Sequence, residues 1–239
     1  MAVLLKNLVA RAPRVEELTT VTQLIISCED AGAGVVDDLL EDVRFYWHQP
    51  DFSLPRDAWV IVTTGGQMVG FACVWHQDHI QISTFICVHP AYRKRGIGTL
   101  LLRMAEMRAR QHARLAQPGA RVVLRGLISN ANEGAQCLFQ REGYQPGREF
   151  LRVASHLVEE SSEPSIPGVQ KELWVDNNLE YGYLQGATPL YDQDGLCSVC
   201  LYRTYEKELR PASVLSIEAG RAPDVFAPLV GMYAGSRAS

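Results

Sequence analysis

The stretch "ICVHPAYRKRGIGTLLLRM", residues 86–104, decides the fold. Its first three residues close "IQISTFICV" (80–88), a β-branched and aromatic run that reads as a strand. Its last six open "TLLLRMAEMRARQHARLAQ" (99–117), where Leu100, Leu101, Met104, Ala105 and Arg108 trace one helical face. Between strand and helix, Arg93, Lys94 and Arg95 stand against Gly96 and Gly98. A helix start near Gly96 points unpaired N–H groups into that loop, and bare glycine backbone lets an anion approach them. Hydrogen bonds to a charged partner contribute about 1.5–3 kcal/mol each. The helix dipole adds about 0.3–1 kcal/mol. Several amides therefore outweigh the dipole, and the arrangement suits a diphosphate. Taken alone, the stretch leaves three readings open: a solvated loop, a nucleic-acid patch, or a grip for a phosphate-bearing ligand.

The bulk composition narrows these. The 239 residues are 47% hydrophobic and 21% charged, as in an ordinary globular protein with a substantial core. Lys and Arg number 23 against 27 Asp and Glu, a net charge of −4. A dedicated nucleic-acid binder carries a basic excess and an aromatic stacking platform. Neither is present, so no nucleic-acid partner is expected. Lys6 splits the first apolar run, which argues against a signal peptide. No stretch approaches the roughly 18 apolar residues of a membrane span. The expectation is a cytoplasmic protein without a membrane partner. Cys28, Cys73 and Cys87 sit in apolar segments and read as small buried hydrophobes. Cys197 and Cys200 form a lone CxxC on an apparent strand with no second ligand pair nearby, so no metal is expected.

Outward from the decisive stretch, the pattern is mixed. Residues 6–13 read as a first strand, residues 13–27 as an amphipathic helix, and Val36 to Trp47 as a second helix, with 51–57 a loop. Residues 58–88 read as a three-strand meander with turns at Gly65-Gly66 and at "HQDH" (76–79). After the long helix come a strand at 121–129, a helix at 130–144 stopped by Gly143, and a strand at 149–157. The proline-rich 159–168 reads as a linker, and a strand pair is expected around "DQDG" (192–195). The fold class is α/β (α+β): a mixed, mostly antiparallel central sheet with flanking helices, plus a C-terminal β-rich extension. The domain boundaries expected are 1–158, a linker at 159–168, and the extension at 169–239.

The motif Arg93-x-x-Gly96-x-Gly98 after "ICVHP" resembles the acetyl-CoA-binding motif of the GNAT N-acetyltransferase superfamily. Asn132, Ala135, Leu138, Phe139, Gly143 and Tyr144 match the family's second pattern, N-x-x-A-x-x-L-[YF]-x-x-x-G-[FY]. The resemblance covers about residues 5 to 158, and the loop "PDFSLPRDAW" (50–59) and the strand "PGREFLRVASHL" (146–157) most resemble the tandem subgroup that includes mycothiol synthase. It implies that the strand ending at Val88 splays from the strand at 122–129. Backbone groups of Ile86, Cys87 and Val88 would then pair with the pantetheine arm. Amides of Lys94, Arg95, Gly96, Ile97, Gly98 and Thr99, with Arg93 at the rim, would hold the pyrophosphate. Asn132 would touch the pantetheine side and Arg141 would reach the adenosine 3′-phosphate. Phe139 counts with the cofactor-binding residues of the motif, although with Leu138 and Tyr144 it reads more as core than as a cofactor contact. Asn132 reads equally as a helix N-cap.

The resemblance implies transfer of an acetyl group from acetyl-CoA to a primary amine of a small molecule or peptide. An amine of pKa about 10.4 is neutral only about once in 2,500 molecules at pH 7, so a base is needed. The family's usual acid and base positions carry Phe139 and Leu127, and neither can move a proton. Gln81, Ser83 and Thr84 offer no carboxylate either. The catalytic residues are therefore left unassigned. His76, Asp78 and His79 read as a polar turn, His89 as a loop residue, and Glu41, Asp42 and Tyr46 as acceptor-side candidates. The empty positions keep a second reading open, a non-catalytic acetyl-CoA-binding module. The extension is either a sheet-completing arm or a partial second domain, and a homodimer is left open.

Overall fold

A computed structural model of the chain describes residues 7–28, 36–156, 170–176 and 196–213. The first strand, β1 (Leu8–Arg11), leads through a 3-10 turn (Val15–Glu17) into α1 (Leu18–Cys28), and α2 spans Val36–Trp47. The segment expected as a loop before the meander instead forms a short helix, α3 (Leu54–Asp57). Its reason is local: the Asp57 carboxylate accepts the Ser53 N–H at 2.7 Å, closing the turn on itself. The meander follows as β2 (Ala58–Thr63), β3 (Met68–Gln77) and β4 (Gln81–Val88). Gly66, at φ 87°, supplies the left-handed residue of the first turn. Then come α4 (Ile97–Leu115), β5 (Val122–Ser129), α5 (Glu133–Arg141), β6 (Gln145–His156), β7 (Gln170–Asp176) and β8 (Leu196–Arg210).

The eight strands among the described residues form one sheet in the order β1-β2-β3-β4-β5-β8-β6-β7. Among the described pairings only β4 with β5 is parallel. Its crossover is α4, as a parallel pair requires. β3 lies inside the sheet and is buried from Met68 to Trp75, which explains its unbroken apolar sequence. One face carries Phe71, Cys73, Phe85, Cys87 and Leu127 against Val21, Leu24 and Ile25 of α1 and Val43 and Trp47 of α2. The other carries Val74, Ile82, Val122 and Leu124 against α4 and α5. Ala105, Ala109 and Ala113 recur every fourth residue of α4 and let that helix lie close on the sheet.

Two strands depart from the sequence expectation. β6 begins at Gln145, before the expected 149, and its pairing with β8 slips between Pro146 and Glu149. β7 was not anticipated, and the arm expected before "DQDG" lies outside the described residues, as does the expected linker. The arm after it is β8, which carries the CxxC backbone and lies between β5 and β6. Side chains fasten it there. Lys207 donates to Glu106 and to the Glu142 carbonyl, each at 2.8 Å. Arg210 donates to the carbonyls of Ala113 at 2.9 Å, Gln117 at 2.5 Å and Ala120 at 3.0 Å. These carbonyls at and beyond the end of α4 lack helical partners, so one guanidinium closes the helix and holds the strand. Cys73 and Cys87 are buried and Cys28 half-buried. Burial pushes the Cys73 thiol up. No helix among the described residues is long and apolar enough to cross a membrane.

Candidate active site

The site begins where a ladder ends. β4 pairs with β5 at Gln81–Val123, Ile82–Leu124, Ser83–Arg125 and Thr84–Gly126. Among the described pairs nothing joins them beyond Thr84, although β4 runs on to Val88 and β5 to Ser129. Beyond that rung the ladder is interrupted, a gap in the pairing edged on the β4 side by the backbone of Phe85, Ile86, Cys87 and Val88. Gly126 marks the rung for a packing reason. A Cβ there would lie 2.5 Å from Cε1 of Phe139, so the ring rests directly on the strand backbone.

The loop after β4 ends at the mouth of this gap. His89 accepts the Ala91 N–H at 3.2 Å and caps a 3-10 turn, Pro90–Tyr92. Lys94 follows at φ 61° and Gly96 at φ 81°, both left-handed. Left-handed residues so closely spaced curl the chain and turn its N–H groups into one concavity, a form that receives anions. Gly96 is the N-cap of α4 and supplies no side-chain cap, so the first-turn donors, Ile97, Gly98 and Thr99, have no acceptor within the helix. The space is open: a Cβ at Gly96 would meet nothing within 4 Å. At Gly98 a Cβ would lie 3.1 Å from Leu138 and 3.8 Å from Val88, which places the helix start between the end of β4 and α5.

The cations of the motif do not all turn toward that concavity. Arg93 points back, donating to the carbonyls of Cys28 at 3.0 Å and Val88 at 3.4 Å, and so ties the loop to the end of α1. Arg95 donates to Ala91 O at 3.2 Å and lies over the Tyr92 ring, 4.8 Å from its centre. Lys94 is exposed. Arg141, from α5, is the cation that reaches the helix start, donating to Thr99 Oγ1 at 2.8 Å. Asn132 caps α5, accepting the Ala135 N–H at 3.0 Å. Gln136 then binds the carbonyls of Ser129 and Asn130, at 3.3 and 2.8 Å, fixing α5 to the end of β5.

Phe139 and Leu127 are both core residues, 2% and 5% exposed. Phe139 packs edge-on to Tyr144, ring centres 4.9 Å apart, and lies 6.0 Å from Tyr205. It is a wall of the core under Gly126. Of the acceptor-side candidates, Tyr46 stacks on Trp75 at 5.9 Å, and Glu41 is 64% exposed. The side chain of Asp42 lies outside the described residues.

Sequence reasoning missed two constellations. The first is an ion pair one rung before the ladder ends, where Arg125 Nε meets Glu206 Oε1 at 2.8 Å. Arg125 stands opposite Ser83 in β4 and Glu206 in β8. Only the insertion of β8 brings Glu206 there, and no local signal announces that. The second lies at the other end of β4. His76 and His79 meet His112 of α4, a helix residue that the sequence gave no reason to single out. Burial first, then the facing His112 and His79, pushes the His76 pKa down to about 4. Burial alone would raise the nearby Asp57 carboxyl, but hydrogen bonds from His112, Arg108 and the Ser53 N–H outweigh it and hold the group below its usual range.

Residues 55–146 match a family described as the acetyltransferase (GNAT) domain. No curated protein sequence matches the chain. Many solved structures share the fold. One is a GCN5-related N-acetyltransferase from Sphaerobacter thermophilus, 18% identical with TM-score 0.70, covering 87% of this chain and 98% of that one. Another is an N-acetyltransferase from Staphylococcus aureus, 16% identical with TM-score 0.51, covering 86% and 100%. A third is the ribosomal-protein-S18-alanine N-acetyltransferase from Escherichia coli, 12% identical with TM-score 0.50, covering 87% and 97%.

Proposed function

From the match of residues 55–146 to the acetyltransferase (GNAT) domain family, we propose that the chain is an acyl-CoA-dependent N-acyltransferase. It moves acetyl from acetyl-CoA directly to a primary amine of a small molecule or peptide. The observation that carries the reading is the coincidence of two features. The β4–β5 ladder stops at Thr84–Gly126, and the uncapped, left-handed start of α4 lies at the gap this opens.

In this reading the pantetheine arm enters the gap as an added strand on Ile86, Cys87 and Val88. The pyrophosphate settles on the amides of residues 94–99, and Arg141 meets the adenosine 3′-phosphate beside Thr99. Asn132 keeps its cap and lines the pantetheine side. Arg93 and Arg95 shape the loop through backbone carbonyls instead of gripping phosphate. The amine nitrogen attacks the thioester carbonyl, the C–N bond forms, the C–S bond breaks, and the thiolate takes up a proton. Neither Leu127 nor Phe139 can move that proton or the one lost by the amine. In this reading Glu206, paired with Arg125 one rung before the ladder ends, draws the amine in and accepts its proton through water.

The same two apolar positions favour a second reading, a domain that binds acetyl-CoA without turning it over. Thiol release from acetyl-CoA over a panel of amines, polyamines, aminoglycosides, amino acids and peptides separates the two. Release that depends on one amine class supports the enzyme and names its acceptor class. Binding of acetyl-CoA with no thiol released by any amine overturns the enzyme reading in favour of the binding module.

A further inference from the structure

At the end of β4 remote from the gap, three imidazoles converge from two elements distant in sequence. His76 closes β3, His79 lies in the β3–β4 turn, and His112 lies in the last turn of α4. One ring nitrogen from each can be chosen so that all lie within 4.8 Å of one another. The ring centres of His76 stand 4.0 Å from His79 and 4.2 Å from His112. Nδ1 of His79 is 3.1 Å from Nδ1 of His112. Three rings so close are not a casual polar turn, because two facing ring nitrogens share at most one proton.

Existing hydrogen bonds select the binding nitrogens: His76 Nδ1 accepts the His79 N–H at 3.4 Å, which leaves its Nε2 for a ligand role. His112 is 3% exposed and its Nε2 lies 3.4 Å from Asp57 Oδ1. A carboxylate accepts, so Nε2 carries the proton and Nδ1 turns its lone pair toward His79. Asp57 is itself fixed: Arg108 Nε donates to Oδ1 at 2.6 Å and the Ser53 N–H to Oδ2 at 2.7 Å. A carboxylate that orients an imidazole whose other nitrogen faces a ligand set is the usual outer arrangement of a metal site. The turn is built for the same convergence. Asp78 and His79 both have positive φ, 51° and 59°, and the Ile80 N–H closes the turn on Gln77 O at 3.0 Å. Three residues, Asp78 to Ile80, join the paired Gln77 and Gln81, and two successive positive φ values are ordinarily given to Asn or Gly. Here the left-handed backbone brings His79 back over the ring of His76.

We propose that His76, His79 and His112 form a binding site for a borderline divalent transition-metal ion, of which zinc is the representative. Three neutral imidazoles suit zinc, cobalt or nickel and do not suit magnesium or calcium, which require oxygen. Zinc–nitrogen bonds of about 2.0–2.1 Å set ligand nitrogens roughly 3.3 Å apart in a tetrahedron, close to the 3.1 Å of the His79–His112 pair. His76 and His79 are partly exposed, which leaves the fourth position to water. Seven residue steps of β4, about 23 Å, separate this turn from Val88, so the ion serves as a clasp and takes no part in acyl transfer. It joins the β3–β4 turn to α4 and, through Asp57, to α3. The inference is independent of the proposed activity.

The test uses the full, tag-free chain after treatment with a chelator, titrated with zinc chloride by calorimetry and with cobalt chloride by visible absorption. The expected result is one ion per chain bound tighter than about 50 µM, with cobalt absorption of a nitrogen-ligated site. At a hundredfold excess over Kd the melting temperature rises roughly 5–10 °C with zinc and is unmoved by magnesium. His79→Asn in the turn and His76→Gln at the end of β3, both at partly exposed positions, each weaken zinc at least tenfold with unchanged circular dichroism. Absence of one-to-one zinc binding in the unaltered chain overturns the proposal. So does equal affinity in either folded variant.

Discussion

Gly126→Ala tests the contact on which the gap is built. Its Cβ would stand 2.5 Å from Cε1 and 2.7 Å from Cζ of Phe139. Side-chain carbons require roughly 3.5–4.0 Å, so the ring must retreat by about 1 Å. It has little room, being 2% exposed and held by Tyr144 and Tyr205. Overpacking of this kind costs about 1–3 kcal/mol. For a chain of this size each kcal/mol lowers the melting temperature by roughly 2–4 °C, giving a fall of about 2–12 °C. Phe139→Leu removes the colliding ring edge. In the double variant the penalty of Gly126→Ala shrinks by about 1 kcal/mol, a coupling that urea unfolding resolves. Because Phe139 belongs to α5, the single variant also displaces Asn132 and Arg141 and weakens acetyl-CoA. A Gly126→Ala stability within about 0.5 kcal/mol of the parent, or strict additivity in the cycle, refutes the contact and the rung it defines.

Arg141→Ala raises the Kd for CoA about tenfold or more and brings it level with that for dephospho-CoA, as calorimetry with both ligands will show. Arg210→Ala frees the carbonyls of Ala113, Gln117 and Ala120 and loosens β8, costing about 1–3 kcal/mol in urea unfolding, with Arg210→Lys intermediate. Glu17 is held at about 2 by the hydrogen bonds from Arg11, so its folded pKa lies below its unfolded one. Its contribution is present above the unfolded value near 4.5 and is lost as pH falls through about 2; Glu17→Gln therefore flattens the stability profile across that window.

The legible parts of the fold were those written in short range. The Gly65-Gly66 turn, the β-branched run at 80–88 and the stripe of α4 each carry their own signal, and each became the expected element. Leu54–Asp57 was illegible because its helical turn is closed by one carboxylate reaching back to Ser53. β8 was legible as a strand, but alternation says nothing about neighbours, so its place between β5 and β6 was not. The site divides the same way. The glycines and Asn132 announce backbone geometry and a cap, which depend on local chain alone. The direction of Arg93 depends on the end of α1, and the Arg125–Glu206 pair on β8. His112 joins His79 across 33 residues of chain and escapes any local pattern.

Titration of acetyl-CoA into the unaltered chain and into Gly96→Glu tests the central claim most directly. Gly96 has open space about it, so the added carboxylate enters the concavity with little disturbance of the core, at a backbone cost of about 1–2 kcal/mol for its left-handed φ. The account predicts one acetyl-CoA bound per unaltered chain and none to the folded variant. No binding to the unaltered chain, or equal binding to both, contradicts it.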